Sequence, residues 1–422
     1  MANKLKIGVF GAARGRTMVK ALLKHPDAEL VAVCDKYEPA LNNVKKIADE
    51  VGLTTLTLYN NFEDFIKHPG MNAVVLANYA TEHAPFAIRC MKAGMHVLSE
   101  VLPCETMAQA VELIETVEQT GMVYAYAENY CYMQHTFEMW CRFKAGELGG
   151  AIYAEGEYIH DCTSIWPQIT YGDRNHWRNN MYATYYCTHS IGPLMTITGL
   201  RPVQVVGYET LPMQSLADLG CTKGAGIEMI TMENGAIFKS IHGGLKREPG
   251  SVNYQVYCEK GMMESGRLPE NSKFNLYLEG EEHCKGNWEK YNPSSAVAAT
   301  LREASAVNSH AGSDFYPTHC FIQKILGRPD GEWSIDVYQA IDMGICGILA
   351  HRSSLNGNIP VKIPNLRDPA QRDEWRNDHA CTTPAVAGDQ LLPQSIHRIG
   401  CDPLPDELFD RVKQLWLEGK NG

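Results

Sequence analysis

The first 125 residues alternate short apolar runs with helical stretches, and this rhythm constrains the fold more than any other feature of the chain. Leu5–Phe10, Glu29–Cys34, Asn72–Ala77, His96–Ser99 and Met122–Tyr126 read as strands. Helical segments follow at 16–25, 39–51, after the third strand up to Ala93, and over 106–120. Continuous apolar strands joined by helices must be covered on both faces, so the pattern predicts a parallel, doubly wound sheet. Beyond residue 150 the texture changes. Ala151–Ile159, Val203–Glu209, Ala236–Ile241 and Tyr254–Cys258 read as longer strands with few helices between them. That suits a large, mostly antiparallel open sheet in an α+β domain, with helices at 183–199 and 333–352. The expected division is residues 1–127, 128–365, and a Pro/Asp/Arg-rich tail over 366–422 that packs on the surface or on a neighbouring subunit.

The turn after the first strand carries the first chemical signal. Gly11-Ala-Ala-Arg-Gly15 stands between strand and helix, where backbone N–H groups and a helix N-terminus can face a pyrophosphate. Ala13 replaces the middle glycine of the usual G-x-G-x-x-G, and Gly15 falls one place early. Asp35 closes the second strand 24 residues after Gly11. A carboxylate there accepts from ribose hydroxyls and repels a 2′-phosphate, so the expected cofactor is NAD rather than NADP.

Bulk properties exclude several classes. The chain has 422 residues and a formal net charge of -11, with no basic cluster, which disfavours nucleic acid and anionic membranes as partners. No apolar run approaches membrane-spanning length, and no signal-peptide pattern opens the sequence. The 14 cysteines include no C-x-x-C pair, which disfavours a zinc ribbon and fits reduced thiols in a cytoplasmic protein. His160, Asp161, His176 and His189 match no standard metal spacing, so no metal is expected.

Ala77-Asn-Tyr-Ala-Thr-Glu-His83 after the third strand and Ala93-Gly-Met-His-Val-Leu-Ser-Glu100 out of the fourth resemble the Gfo/Idh/MocA family of NAD(P)-dependent sugar and inositol oxidoreductases. The resemblance implies that Asn78, Thr81, Glu82, His83, Glu100 and Asn129 line the cofactor site beside Gly11, Ala13, Arg14 and Asp35, and that the chain assembles as a homodimer or homotetramer. Most dehydrogenases of that family follow the fourth strand with Glu-Lys-Pro. Here the row reads Glu100-Val101-Leu102-Pro103, and Val101 has no acid–base chemistry.

Glu-Val at this point is similar to the NAD-dependent glycosidases of glycoside hydrolase family 109. So are Glu128-Asn129-Tyr130, Tyr158, Trp177-Arg178, Tyr186-Cys-Thr-His189-Ser-Ile-Gly-Pro193 and His310-Ala-Gly-Ser-Asp314. That likeness implies cleavage of a hexoside with no net redox change: transient oxidation at C3, elimination at C1, water addition and re-reduction. Two proton transfers are then needed, and Tyr158, Tyr186 and His189 are the candidates, with Val101, Trp177 and Arg178 at the cofactor. Tyr186 and His189 lie three apart and can face one cleft. His189 is assigned the C3 hydroxyl proton, and Tyr158 or Tyr186 the C2 proton or the sugar itself. His160, His176 and Thr188 complete the expected substrate set. Trp166 and Trp177 could stack on a ring or fill core. The alternative reading is a sugar or cyclitol dehydrogenase in which His189 replaces the lysine. A cofactor-binding regulator has no use for such proton-transfer groups.

Overall fold

The computed structural model describes residues 4–267, 273–280, 288–290 and 313–419. His310 lies outside them. Two compact units result, the first from residues up to 137 together with 313–341, the second from residues 138–290 and 342–419.

In the first unit six parallel strands form one sheet: β1 (Leu5–Phe10), β2 (Ala28–Cys34), β3 (Thr57–Tyr59), β4 (Ala73–Leu76), β5 (His96–Ser99) and β6 (Tyr124–Tyr126). Their order is β3-β2-β1-β4-β5-β6, so strand order reverses beside β1, between β1 and β4. Ligands of such sheets bind at the carboxyl ends of the strands at this switch point. The sequence pattern misses β3, because an edge strand of three half-buried residues leaves no apolar run. The helix Met107–Thr120 shows how local chemistry sets the boundaries. Thr106 caps its first turn by accepting from the Gln109 N–H, and Gly121 ends it in the left-handed region at φ 65. The helix Phe315–Ile325 joins this unit from far along the chain, burying Phe321 and Ile322 in the same core as Ile7, Val9, Val19 and Leu22.

The second unit holds a nine-stranded sheet, ordered β14-β13-β12-β11-β7-β10-β9-β8-β15 among the described residues. The strands are β7 (Ala151–Ile159), β8 (Pro202–Glu209), β9 (Gly226–Met232), β10 (Ile237–Gly243), β11 (Ser251–Cys258), β12 (Gly261–Ser265), β13 (Lys273–Leu278), β14 (Trp288–Lys290) and β15 (Val361–Lys362). Every pairing is antiparallel except β10 with β7. In β9 and β10 buried positions alternate strictly with half-buried ones, the mark of a sheet covered on one face. Gly156 and Gly207 let helices approach that face. A Cβ on Gly156 would lie 1.9 Å from the Ser190 carbonyl oxygen of the Thr188–Thr198 helix, and one on Gly207 would lie 2.1 Å from the Ala350 oxygen of the Val337–Leu355 helix. The C-terminal segment packs on this same unit: Arg352 pairs with Asp378, and Tyr171 meets Trp416 edge to face.

Candidate active site

Gly11 sits at φ +99, a conformation only glycine adopts freely, and a Cβ there would lie 2.4 Å from the Ala77 carbonyl. A Cβ on Gly15 would lie 2.2 Å from the Gly11 oxygen. The turn is therefore closed against β4, with Ala13 exposed at its tip and the helix Arg16–Lys24 starting directly behind. Asp35 follows β2 by one residue. Its Oδ2 accepts the Ala12 N–H at 2.7 Å and its Oδ1 the Tyr37 N–H at 2.8 Å. Each carboxylate oxygen retains a lone pair for a ribose hydroxyl.

The ends of β4, β5 and β6 supply the rest of the first unit's candidate residues. Asn78 donates to Glu82 at 3.1 Å, while its Oδ1 is buried without a hydrogen-bond partner. Thr81 and exposed Glu82 form the turn Ala80–Glu82. His83 turns inward instead. It is buried against the Leu102 carbonyl at 2.9 Å, and burial pushes its pKa down to about 4. It thus holds the Glu100–Pro103 segment, in which Val101 is buried. An ion network that sequence reasoning missed lies alongside. Arg14 Nη2 stands 2.6 Å from Glu100 and 3.0 Å from Asp314, and Asn129 Nδ2 donates to the same Asp314 oxygen at 2.9 Å. Asp314 and Glu100 are both buried, so one guanidinium serves two desolvated carboxylates. Asp314 lies 300 residues from Arg14, a pairing no local pattern signals.

In the second unit, Tyr158, Tyr186 and His189 come together. Tyr158 is the last residue but one of β7, and His189 is the second residue of the helix Thr188–Thr198. The His189 ring meets Tyr158 edge to face at 4.8 Å and Tyr186 at 5.0 Å, and the two tyrosines lie 6.4 Å apart. The His189 carbonyl accepts the Tyr254 hydroxyl at 2.5 Å, which anchors the helix start. His160 stands beside this group, its Nδ1 3.4 Å from the Tyr158 hydroxyl. Partial desolvation and then the Arg178 charge lower its pKa. Arg178 lies over Trp177 at 4.4 Å and over Tyr186 at 5.5 Å. His176 has a structural duty, since its Nδ1 caps the short helix Trp177–Asn180 by accepting the Arg178 N–H at 3.2 Å. Thr188 is buried, and Trp166 fills core with its Nε1–H on Asn179. Among the described residues no cluster of three His, Cys, Asp or Glu side chains could hold a metal ion, and no helix is long and apolar enough to cross a membrane.

Residues 5–128 match the family model described as "Oxidoreductase family, NAD-binding Rossmann fold". Over this segment the chain is similar to the Gfo/Idh/MocA oxidoreductase family. The cofactor is NAD, and the chain is an NAD-dependent enzyme. Relatives carry the likeness further along the chain. A glycosyl hydrolase family 109 protein of Porphyromonas gingivalis is 25% identical over 399 residues, covering 86% of this chain and 84% of its own. One from Bacteroides thetaiotaomicron is 24% identical with the same coverage. Among solved structures, scyllo-inositol dehydrogenase from Lactobacillus casei with NAD(H) and scyllo-inositol superposes with a TM-score of 0.66 at 16% identity, over 87% of this chain and 100% of that one. A levoglucosan dehydrogenase in complex with NADH and L-sorbose gives 0.67 at 14% identity, over 86% of this chain and 100% of that one. At such identities these structures establish a common fold.

The first unit fits the dinucleotide on its own terms. Gly11 and Gly15 leave no room for a Cβ, Asp35 retains acceptor capacity, and the Asn78 Oδ1 is a buried acceptor with no donor.

Proposed function

We propose that the chain is an NAD-dependent glycoside hydrolase that opens a hexoside through transient oxidation at C3, elimination at C1, water addition and re-reduction. The observation that carries this reading is the ring-to-ring packing of Tyr158, Tyr186 and His189, taken with the buried Val101 where the family's dehydrogenases have lysine. Bound NAD supplies a reversible two-electron acceptor for the carbon bearing the reacting hydroxyl. Everything else asked of the protein is proton transfer and binding. His189 takes the hydroxyl proton and later returns it. Tyr158 or Tyr186 removes the proton at C2, which the neighbouring carbonyl acidifies, and the C1 substituent leaves as that C–H bond breaks. Gly11, Ala13, Asp35, Asn78, Thr81, Glu100 and Asn129 hold the dinucleotide in this reading. Arg178 and Trp177 present a cationic, aromatic shelf against Tyr186 that suits a sugar or a nicotinamide ring. The names of the family 109 relatives support the hydrolase reading over most of the chain.

The second reading is a sugar or cyclitol dehydrogenase, favoured by the likeness to the inositol and levoglucosan dehydrogenase folds. Aryl glycosides offered to the purified protein without added cofactor separate the two. Aglycone release without NADH accumulation, with solvent deuterium entering C2, is expected. NADH formed stoichiometrically from free sugars, with no glycosidic cleavage, refutes the hydrolase reading in favour of the dehydrogenase.

A further inference from the structure

The covered face of the second sheet contains a buried acid–imidazole pair that the proton transfers above do not use. Glu228 on β9 and His242 on β10 lie diagonally across an antiparallel pairing in which Gly226 faces His242 and Glu228 faces Ser240. The His242 Nε2 is 2.9 Å from Glu228 Oε1, and the two side chains are 1% and 0% exposed. Gly226 makes the contact possible, because a Cβ there would stand 2.8 Å from the His242 Nε2. The second carboxylate oxygen, Oε2, is buried with no hydrogen-bond partner. A desolvated carboxylate normally gathers several donors, and one left with a single imidazole is costly to keep. A fold under no other demand would place apolar side chains there.

The register ties this pair to the cluster. β10 runs parallel to β7, so His242 lies beside Tyr158 and Ser240 beside Gly156, on one face. β11 sets Tyr254 opposite Gly156 on that same face. This row grips the start of the Thr188–Thr198 helix at three points. Ser240 Oγ bonds Ser190 Oγ at 2.7 Å, Tyr254 bonds the His189 carbonyl, and Gly156 packs under Ser190. The charge of Glu228 is felt at the same place. Burial first, and then Glu228, raise the Cys187 thiol pKa well above its ordinary value, two residues before His189.

We propose that Glu228 and His242 are positioning residues for the proton-transfer cluster, a buried carboxylate–imidazole pair whose charge acts on His189 and whose place in the sheet, beside Tyr158, sets the face on which the cluster stands. This rests on the reading of Tyr158, Tyr186 and His189 as proton-transfer groups. The other titratable groups facing the pair or the cluster are Cys187 from the helix start, Cys346 and Asp342 from the Val337–Leu355 helix, Arg201 before β8, and His160 and Arg178 at the rim. A buried unit charge beside a titrating group, at an effective dielectric of ~20, changes its proton equilibrium by about tenfold.

The test is Glu228→Gln in the full chain with NAD bound, which keeps shape and removes charge. The expected result is a kcat lower by about tenfold with KM and NAD affinity unchanged, and an acid limb of the kcat profile moved by about one pH unit. Glu228→Asp restores the charge and recovers most of the rate. A second readout needs no turnover: the imidazole of His189, followed by NMR in 15N-histidine-labelled protein and assigned with His189→Gln, titrates about one pH unit lower in Glu228→Gln. Should Glu228→Gln fail to fold, judged by its melting curve, Glu228→Leu, which also removes the charge, is carried through the same measurements. Unchanged kcat, pH profile and His189 titration in a folded variant overturn the proposal. Loss of the hydrolase reading appears separately, as wild-type protein that releases no aglycone while the His189 titration still responds to residue 228.

Discussion

Asp35 and His189 each have a proposed role that one side chain can be tested for. Asp35 is nominated by the sequence because its proposed role depends on position in a local strand–turn–helix–strand pattern. Its contacts to Ala12 and Tyr37 add a second duty, holding the glycine turn. Asp35→Ala is therefore expected to weaken NAD binding by about tenfold or more and to narrow the preference over NADP by a further tenfold, each hydrogen bond to a charged group being worth roughly 1.5–3 kcal/mol. Titration of both dinucleotides by tryptophan fluorescence checks it, and an unaltered NAD/NADP ratio would contradict the assignment. For His189 the expectation is sharper: His189→Gln should lower turnover by about 10²–10⁴-fold with bound NAD retained. The Arg14–Glu100–Asp314 network is not legible at this scale. Its members are far apart in the chain, and an arginine in a glycine turn reads locally as a phosphate contact.

Elements read well where one period dominates. The parallel strands other than β3 announce themselves as apolar runs, and β7, β8, β10 and β11 of the second sheet as longer alternating ones, whereas β9 and the shorter β12 to β15 do not. What stays hidden in the sequence is why glycine stands inside strands. Gly156 reads as a weak point in β7, yet it is where the Thr188–Thr198 helix comes close enough for Tyr254 and Ser240 to hold its first turn. Gly156→Ala must displace the Ser190 carbonyl, backbone that cannot simply rotate away. The expected cost is about 2–4 kcal/mol, and kcat should fall because His189 moves with the helix. Differential scanning calorimetry beside steady-state kinetics tests this, and a variant that loses neither stability nor rate would show that the helix start is not held there. Gly207→Ala, beneath Ala350, should destabilise similarly. Its effect on rate should be small, since that contact lies on another helix.

At the scale of the whole molecule, the participation of the Phe315–Ile325 helix in the first unit has no local signal, because its partners are about 300 residues away. A chain of histidines fastens it. His25 Nδ1 accepts the Asp27 N–H, so its Nε2–H donates to His319 Nδ1 at 3.0 Å, and the His319 Nε2–H in turn donates to Asp330 at 2.9 Å. His25 is neutral in this arrangement, and a proton taken up at its Nδ1 displaces the Asp27 N–H. Burial, and then the neighbouring His319, push the His25 pKa down to about 4. Burial does the same to His83 and His351. A histidine whose folded pKa lies below its unfolded value of about 6.5 favours the unfolded state as acid is added. Its contribution is therefore complete above pH ~6.5 and is lost progressively down to pH ~4. Each of the three can account for roughly 3 kcal/mol over that window, and together they rival the 5–15 kcal/mol stability of a typical domain. The paired carboxylates act lower on the scale: Asp161, held near pKa about 2 by Lys246 and Thr163, loses its contribution only below pH ~4. Urea denaturation between pH 7.5 and 4.5 should thus show the midpoint falling steeply well before carboxylates begin to protonate. His25→Gln, which cannot take up the proton, should flatten the part of that slope belonging to the first unit. A midpoint independent of pH in this range would mean that these imidazoles are not buried in their neutral forms.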